Sequence, residues 1–132
     1  WNMVGAGIFG FMINPPIALY YMQGLNTTAV HAHGALYGVY GTLGLALTLF
    51  CLRAMKPELL WKESLIKFAF WTINIGMLME IVLSLLPIGL LQTQQSVSVG
   101  YWSARSPEFM QTDLMQFLRW MRIVGDTVFA IG

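Results

Sequence analysis

An all-α, polytopic transmembrane helix bundle is the fold class this sequence predicts, and three observations predict it. Of 132 residues, 57% are hydrophobic and 10% charged, where a soluble domain carries about a quarter charged residues. The mean hydropathy is +0.64. The charges are also segregated: no Lys, Arg, Asp or Glu precedes Arg53, and Glu80 is the single one between Lys67 and Arg105. Two long stretches can therefore enter lipid.

Residues 1–13, WNMVGAGIFGFMI, read as the end of a first membrane helix. Asn14-Pro15-Pro16 stops it, because proline lacks an amide hydrogen and pushes the residue before it out of helical geometry. Residues 14–28 are uncharged but rich in Tyr, Gln, Asn and Thr, as an interfacial loop should be, and Thr27 or Thr28 can cap the next helix. Every residue over 29–52 is compatible with a span, and a helix of that length reaches ~36 Å, enough to cross a hydrocarbon core with some tilt.

Arg53, Lys56, Lys62 and Lys67 surround a connection over 53–64 that contains Pro57. By the positive-inside rule it is cytoplasmic, which puts loops 14–28 and 92–112 outside and His31 and His33 near the outer surface. The next span is expected over 65–91, with Pro87 and Gly89 tolerated where the helix is finishing. In the outer loop, Tyr101 and Trp102 suit the headgroup level. A last helix is expected over 113–132, with Asp113 as its N-cap candidate. The chain opens at Trp1 without an initiator Met, has no signal-peptide layout, and closes inside an apolar run. It is expected to be part of a longer polytopic protein.

Several function classes drop out. The net charge is +1 and the basic residues form no stripe, so nucleic acid is not an expected partner. One cysteine, Cys51, leaves no internal disulfide framework and no thiolate cluster for zinc or iron–sulfur. The nine methionines are read as adaptable packing residues.

The two histidines of the chain, His31 and His33, stand one residue apart. Successive helical residues turn by about 100°, so the two side chains point about 200° apart and cannot ligate one metal from a regular helix. They must serve different partners on opposite sides. Gly34, Gly38 and Gly41 share the direction of His31 within about 80°. That face offers room for a flat group or a seam for helix packing. Leu36, Tyr37 and Tyr40 lie on the His33 side. Imidazoles in a charge-free segment are costly and usually functional. Axial ligation of two haems and hydrogen-bonded interfacial histidines both fit the spacing.

Glu80 is read as neutral, paired or facing water, either in proton relay or bonded to Asn74 or Ser84. Arg105 is either a partner for an anionic ligand group or an interface anchor beside Trp102. Arg119 and Arg122 lie in the last helix, where Arg122 and Asp126 form an i,i+4 pair.

The stretch NTTAVHAHGALYGVYG, with GAGIFGFMINPPIALYYMQG before it and SLLPIG and GYWSARSPEF after it, resembles the catalytic subunit of respiratory nitric oxide reductases. The pattern is closest to the quinol-dependent branch. That family belongs to the haem-copper oxidase superfamily, and the resemblance implies that this chain is a C-terminal fragment of its twelve-helix core. It also implies that His31 is the proximal ligand of high-spin haem b3 and His33 an axial ligand of low-spin haem b.

The implied reaction reduces two NO, with two protons and two electrons, to N2O and water. The non-haem iron and the second haem b ligand would be held by residues outside this fragment. Arg105 is a candidate partner for the haem propionates. Implied partners are the remaining helices of the same enzyme, quinol and NO as substrates, and the lipid of a bacterial inner membrane, with a homo-oligomer as a further expectation. A haem-copper oxygen reductase would share the histidine pair, and a scaffold or transporter would use it only for hydrogen bonds.

Overall fold

The computed structural model describes residues 1–58 and 60–132, and the chain is helical nearly throughout, with no strand among the described residues. We number the helices α1 (Asn2–Ile13), α2 (Pro16–Met22), α3 (Asn26–Met55) and α4 (Glu63–Ser98). A short α5 (Pro107–Met110) and a final α6 (Asp113–Ile131) follow. The helices α3 and α4 are long and apolar enough to cross a membrane, and α1 with α2 makes a third candidate if that pair, bent by 94°, is one span. The last helix, expected as a span over 113–132, is not among them: its apolar residues alternate with Asp113, Arg119, Arg122 and Asp126. In the connection expected over 53–64, position 59 lies outside the described residues.

The expected loop over 14–28 contains a helix. Pro15 adopts φ −55°, ψ 142° and Pro16 opens α2 at its first position. There the missing amide hydrogen costs nothing, so the residues that end α1 also start α2. Gly24, at φ +72°, turns the chain back. The next helix then begins at Asn26, earlier than expected, with Leu25 as its N-cap. Thr27 and Thr28 therefore sit inside the first turn. The amide of Asn26 donates instead to Gln92 Oε1 of α4, at 3.0 Å.

In the same way α4 runs past its expected end at 91. Proline leaves a carbonyl one turn back without its partner, and a widened turn over Ile81–Leu85 precedes Pro87 and redistributes those acceptors. Beyond it the polar QTQQSVS stays helical because its side chains find partners across the bundle. Gln92 Nε2 donates to the Ala104 carbonyl at 3.1 Å, and Ser96 Oγ donates to the Tyr21 carbonyl at 2.8 Å.

Small residues form the helix contacts, as expected where lipid removes the hydrophobic incentive to pack. A Cβ on Gly34 of α3 would lie 2.6 Å from Gly5 Cα of α1. Gly76 of α4 abuts Phe129 of α6, and Gly125 of α6 abuts the Glu80 backbone. Val30, Met77, Ile81 and Leu85 form the buried core, with Trp1, Phe9 and Phe129 against it. Residues 43–55 of α3 are exposed.

Candidate functional site at the histidine pair

Both histidines lie on α3 just before a widened helical segment, Gly34–Gly41. They face different helices. His31 Nδ1 donates to the Gly5 carbonyl of α1 at 3.2 Å. His33 Nδ1 donates to the Ala29 carbonyl of its own helix at 2.8 Å, and its Nε2 lies 3.3 Å from Glu80 Oε1 of α4. Because a carbonyl oxygen only accepts, Nδ1 must carry a proton in both rings. In the neutral imidazole the lone pair then belongs to Nε2, the nitrogen left for a metal. This is how metal-binding histidines are held, with one ring nitrogen anchored and the other presented.

Two further features suit a ligand role at His31. A Cβ on Gly10 would come 2.7 Å from His31 Cε1 and 3.4 Å from Nε2, so only glycine leaves that edge of the ring free. The ring's anchor, the Gly5 carbonyl, is brought near by the approach of Gly5 to Gly34. The glycine-lined direction does not, however, form one open face. Gly34 is closed by Gly5, and a Cβ on Gly38 would lie 2.6 Å from the Trp1 ring. Helix packing thus claims Gly34 and Gly38, the second of the two alternatives that the glycine spacing left open.

The His33 side is polar. Glu80, whose side chain is 8% exposed, stands 2.8 Å from Arg122 Nη2 of α6. Arg122 Nε in turn donates to Asp126 Oδ2 at 3.3 Å. The sequence paired Arg122 with Asp126 and left Glu80 to Asn74 or Ser84; the fold adds Arg122 and His33 as the partners of Glu80. Asn74 is occupied elsewhere, accepting from Trp1 Nε1 at 2.7 Å and donating to the Phe70 carbonyl. For His33 and Glu80 to share a hydrogen bond, one of them must carry an extra proton, since neutral Nε2 and a carboxylate oxygen both accept. Tyr37 flanks His33, with ring centroids 5.5 Å apart, and Phe129 packs edge-on against Tyr37.

Arg105 also finds a partner within the chain. Its Nη1 donates to Tyr101 Oη at 2.7 Å, and that hydroxyl donates to the Gln23 carbonyl at 2.6 Å. The guanidinium also lies 5.6 Å from the centre of the Tyr101 ring. Tyr101 is its hydrogen-bond partner, and the pair fastens the loop after α4 to the α2–α3 turn. Arg119 is exposed, as is Cys51. Among the described residues no group of three or more His, Cys, Asp or Glu is placed to hold a metal ion. A ligand at either histidine must therefore take its remaining donors from elsewhere.

Two parts of this site are hard to see in the sequence. Glu80 and Arg122 are opposite charges in apolar runs, and such charges tend to find each other; they stand too far apart along the chain for any local pattern to join them. The Gly5 carbonyl leaves no signature in residue type at all.

Known proteins resemble the chain over almost all of its length. The family model described as cytochrome c and quinol oxidase polypeptide I matches residues 1–128. A nitric oxide reductase subunit from Stutzerimonas stutzeri is 28% identical over 141 residues, a match covering 98% of this chain. The chain spans about 28% of the length of that relative.

Proposed function

The chain belongs to the cytochrome c and quinol oxidase polypeptide I family, the haem-copper oxidases, and we propose that within it this is the haem-ligating part of a quinol-dependent nitric oxide reductase. One observation carries this reading: two imidazoles a residue apart on one helix, each anchored through Nδ1 by a backbone carbonyl and each turned toward a different neighbour. In it His31 is the proximal ligand of haem b3 and His33 an axial ligand of low-spin haem b. The similarity to the Stutzerimonas nitric oxide reductase supports NO over O2 as substrate. The motifs around the pair support quinol as donor and the inner membrane of a bacterium as location.

When bound, the haems would supply the one-electron chemistry that takes two NO, with two protons and two electrons, to N2O and water. What this chain contributes is position. A single short helical segment presents both Nε2 atoms, so the two groups are held on either side of the same backbone. The approach of Gly5 to Gly34 keeps the His31 anchor in place, and Gly10 keeps the edge of that ring clear. Arg105, fastened by Tyr101, is the cation offered to the propionates on the outer side. The non-haem iron and the second haem b ligand fall to other helices of the complete enzyme.

The test is a reduced-minus-oxidised optical spectrum with pyridine haemochrome quantification on the complete detergent-solubilised enzyme. His33→Ala is expected to lose the low-spin haem b bands. His31→Ala is expected to lose the component that shifts on adding CO or NO, and with it turnover. Unchanged spectra in both variants would sink the ligand assignment. Oxygen consumption without N2O formation by the unaltered enzyme would return the chain to the oxygen reductases of the same family.

A further inference from the structure

Away from the histidines, α3 and α4 stand apart and leave a cavity of about 730 Å³ between them, within the ~300–1,000 Å³ range of small-molecule sites. Its walls are two helical stripes of large apolar side chains. Leu45 and Leu49 stand on α3, with Ile66, Phe70 and Ile73 opposite on α4. The polar side chains that border it are already engaged. Thr42 and Thr48 donate to the carbonyls of Gly38 and Gly44, at 2.7 and 2.8 Å. Asn74 accepts from Trp1 Nε1 and donates to the Phe70 carbonyl. An occupant is therefore offered apolar contact and no side-chain hydrogen bond.

Helices of this chain meet in another way. At Gly5–Gly34, Gly76–Phe129 and Gly125–Glu80 a glycine lets one backbone lie directly on the next segment, the usual means of helix association in lipid. Large side chains wall the groove instead, and a flexible hydrocarbon chain can fill the irregular space between them.

Both stripes run into positive charge. Arg53 lies one turn past Leu49 on α3, and Lys62 one turn before Ile66 at the start of α4. Both are exposed, and neither forms an ion pair among the described residues, whereas Lys67 is paired with Glu63 at 3.6 Å. Over residues 53–67 the cations Arg53, Lys56, Lys62 and Lys67 outnumber the carboxylates, Glu58 and Glu63. A connection between two spans lies at a membrane face, which is the level of the lipid phosphates.

We propose that this groove binds an anionic phospholipid, with an acyl chain between the two stripes and the phosphate held by Arg53 and Lys62. The proposal stands apart from the haem reading. Arg53 brings a planar fork that takes two phosphate oxygens, and Lys62 a point charge. Basic residues at the end of an intramembrane groove select lipids by headgroup charge. A zwitterionic lipid carries its own cation to the same place, so it gains less there.

The experiment delipidates the complete enzyme in detergent, adds back phosphatidylglycerol or phosphatidylcholine of the same acyl chains, and reads bound lipid by native mass spectrometry. The parent is expected to hold one phosphatidylglycerol more tightly than phosphatidylcholine. R53Q/K62Q should weaken phosphatidylglycerol binding about fivefold for each cation removed and leave phosphatidylcholine as it was. K67Q, whose lysine is paired with Glu63, should cost clearly less than one such step. Ala69→Phe, which puts a ring into the groove from α4, should lower the binding of both lipids. Equal affinity of the parent for the two lipids would overturn the proposal. So would full retention by R53Q/K62Q, or a K67Q loss as large per cation. Full retention by Ala69→Phe would mean that another helix of the enzyme fills the groove, and would overturn it too. Should Ala69→Phe not accumulate, Ala46→Phe makes the same test from α3, and R53Q/K62Q, altered only at exposed positions, decides the charge selection by itself.

Discussion

Gly125 of α6 lies flat on the backbone of Glu80 in α4, so close that a Cβ there would overlap the Glu80 amide. Helices in lipid gain little by hiding apolar surface from each other, and close backbone approach is what holds them. At this point the approach also sets Arg122, three residues earlier on α6, against the Glu80 carboxylate.

Gly125→Leu should therefore separate α4 from α6 and break the Glu80–Arg122 pair together. Overpacking of this kind costs about 1–3 kcal/mol, and the loss of a half-buried ion pair adds to it. The check is the detergent thermal-denaturation midpoint of the complete enzyme, which is expected to fall. A variant as stable as the parent would show that the contact is not tight.

The Gly5–Gly34 crossing makes a matching prediction at the other histidine. Gly34→Val puts side-chain atoms against Gly5 Cα, which would lie 2.6 Å from the new Cβ. It should push α1 away and break the bond from His31 Nδ1 to the Gly5 carbonyl. On the proposed ligand assignment, the expected outcome is loss of the haem at His31 before the haem at His33, read from the spectrum after CO addition. Simultaneous loss of both would mean a general failure to fold.

Gln92 is a buried connector. Its Oε1 accepts from the Asn26 amide and from Asn26 Nδ2, at 3.0 and 3.1 Å, and its Nε2 donates to the Ala104 carbonyl. Gln92→Leu is close in size but strands these groups, and each buried group left unpaired costs about 1–3 kcal/mol. The denaturation midpoint should drop clearly, with the haem spectrum unchanged in the protein that remains folded. A neutral result would mean that water reaches the start of α3.

Tyr101→Phe removes one hydroxyl that receives from Arg105 and donates to Gln23. Both bonds are exposed, so the expected loss is about 0.5–1.5 kcal/mol. Limited proteolysis of the loop after α4 should quicken. If Arg105 also serves a propionate, Arg105→Met should disturb the haem spectrum while Tyr101→Phe disturbs only the loop. Equal spectral effects would assign Arg105 a purely structural part.

The class of the molecule and the opposition of its two histidines were legible in the residues alone. A continuous apolar run of about twenty residues or more is helical in lipid, because a helix satisfies every backbone polar group within the segment, whereas barrel strands are shorter and alternate. Two residues one apart on a helix must face opposite ways whatever surrounds them. These are local constraints, and they can be read locally. Where the helices end, and which polar side chains meet, depended on the packed bundle.

α2 sits inside what reads as a loop, and α3 begins at Asn26 because Gln92 receives its amide. α4 passes Pro87 because its polar last turns are bonded to Tyr21 and Ala104. Glu80 finds Arg122 and His33, and not Asn74, because Gly125 lets α6 lie against α4 at that height. Each of these depends on which backbone comes within hydrogen-bonding reach of another. Contacts between segments dozens of residues apart leave no periodicity in the sequence for local reasoning to find.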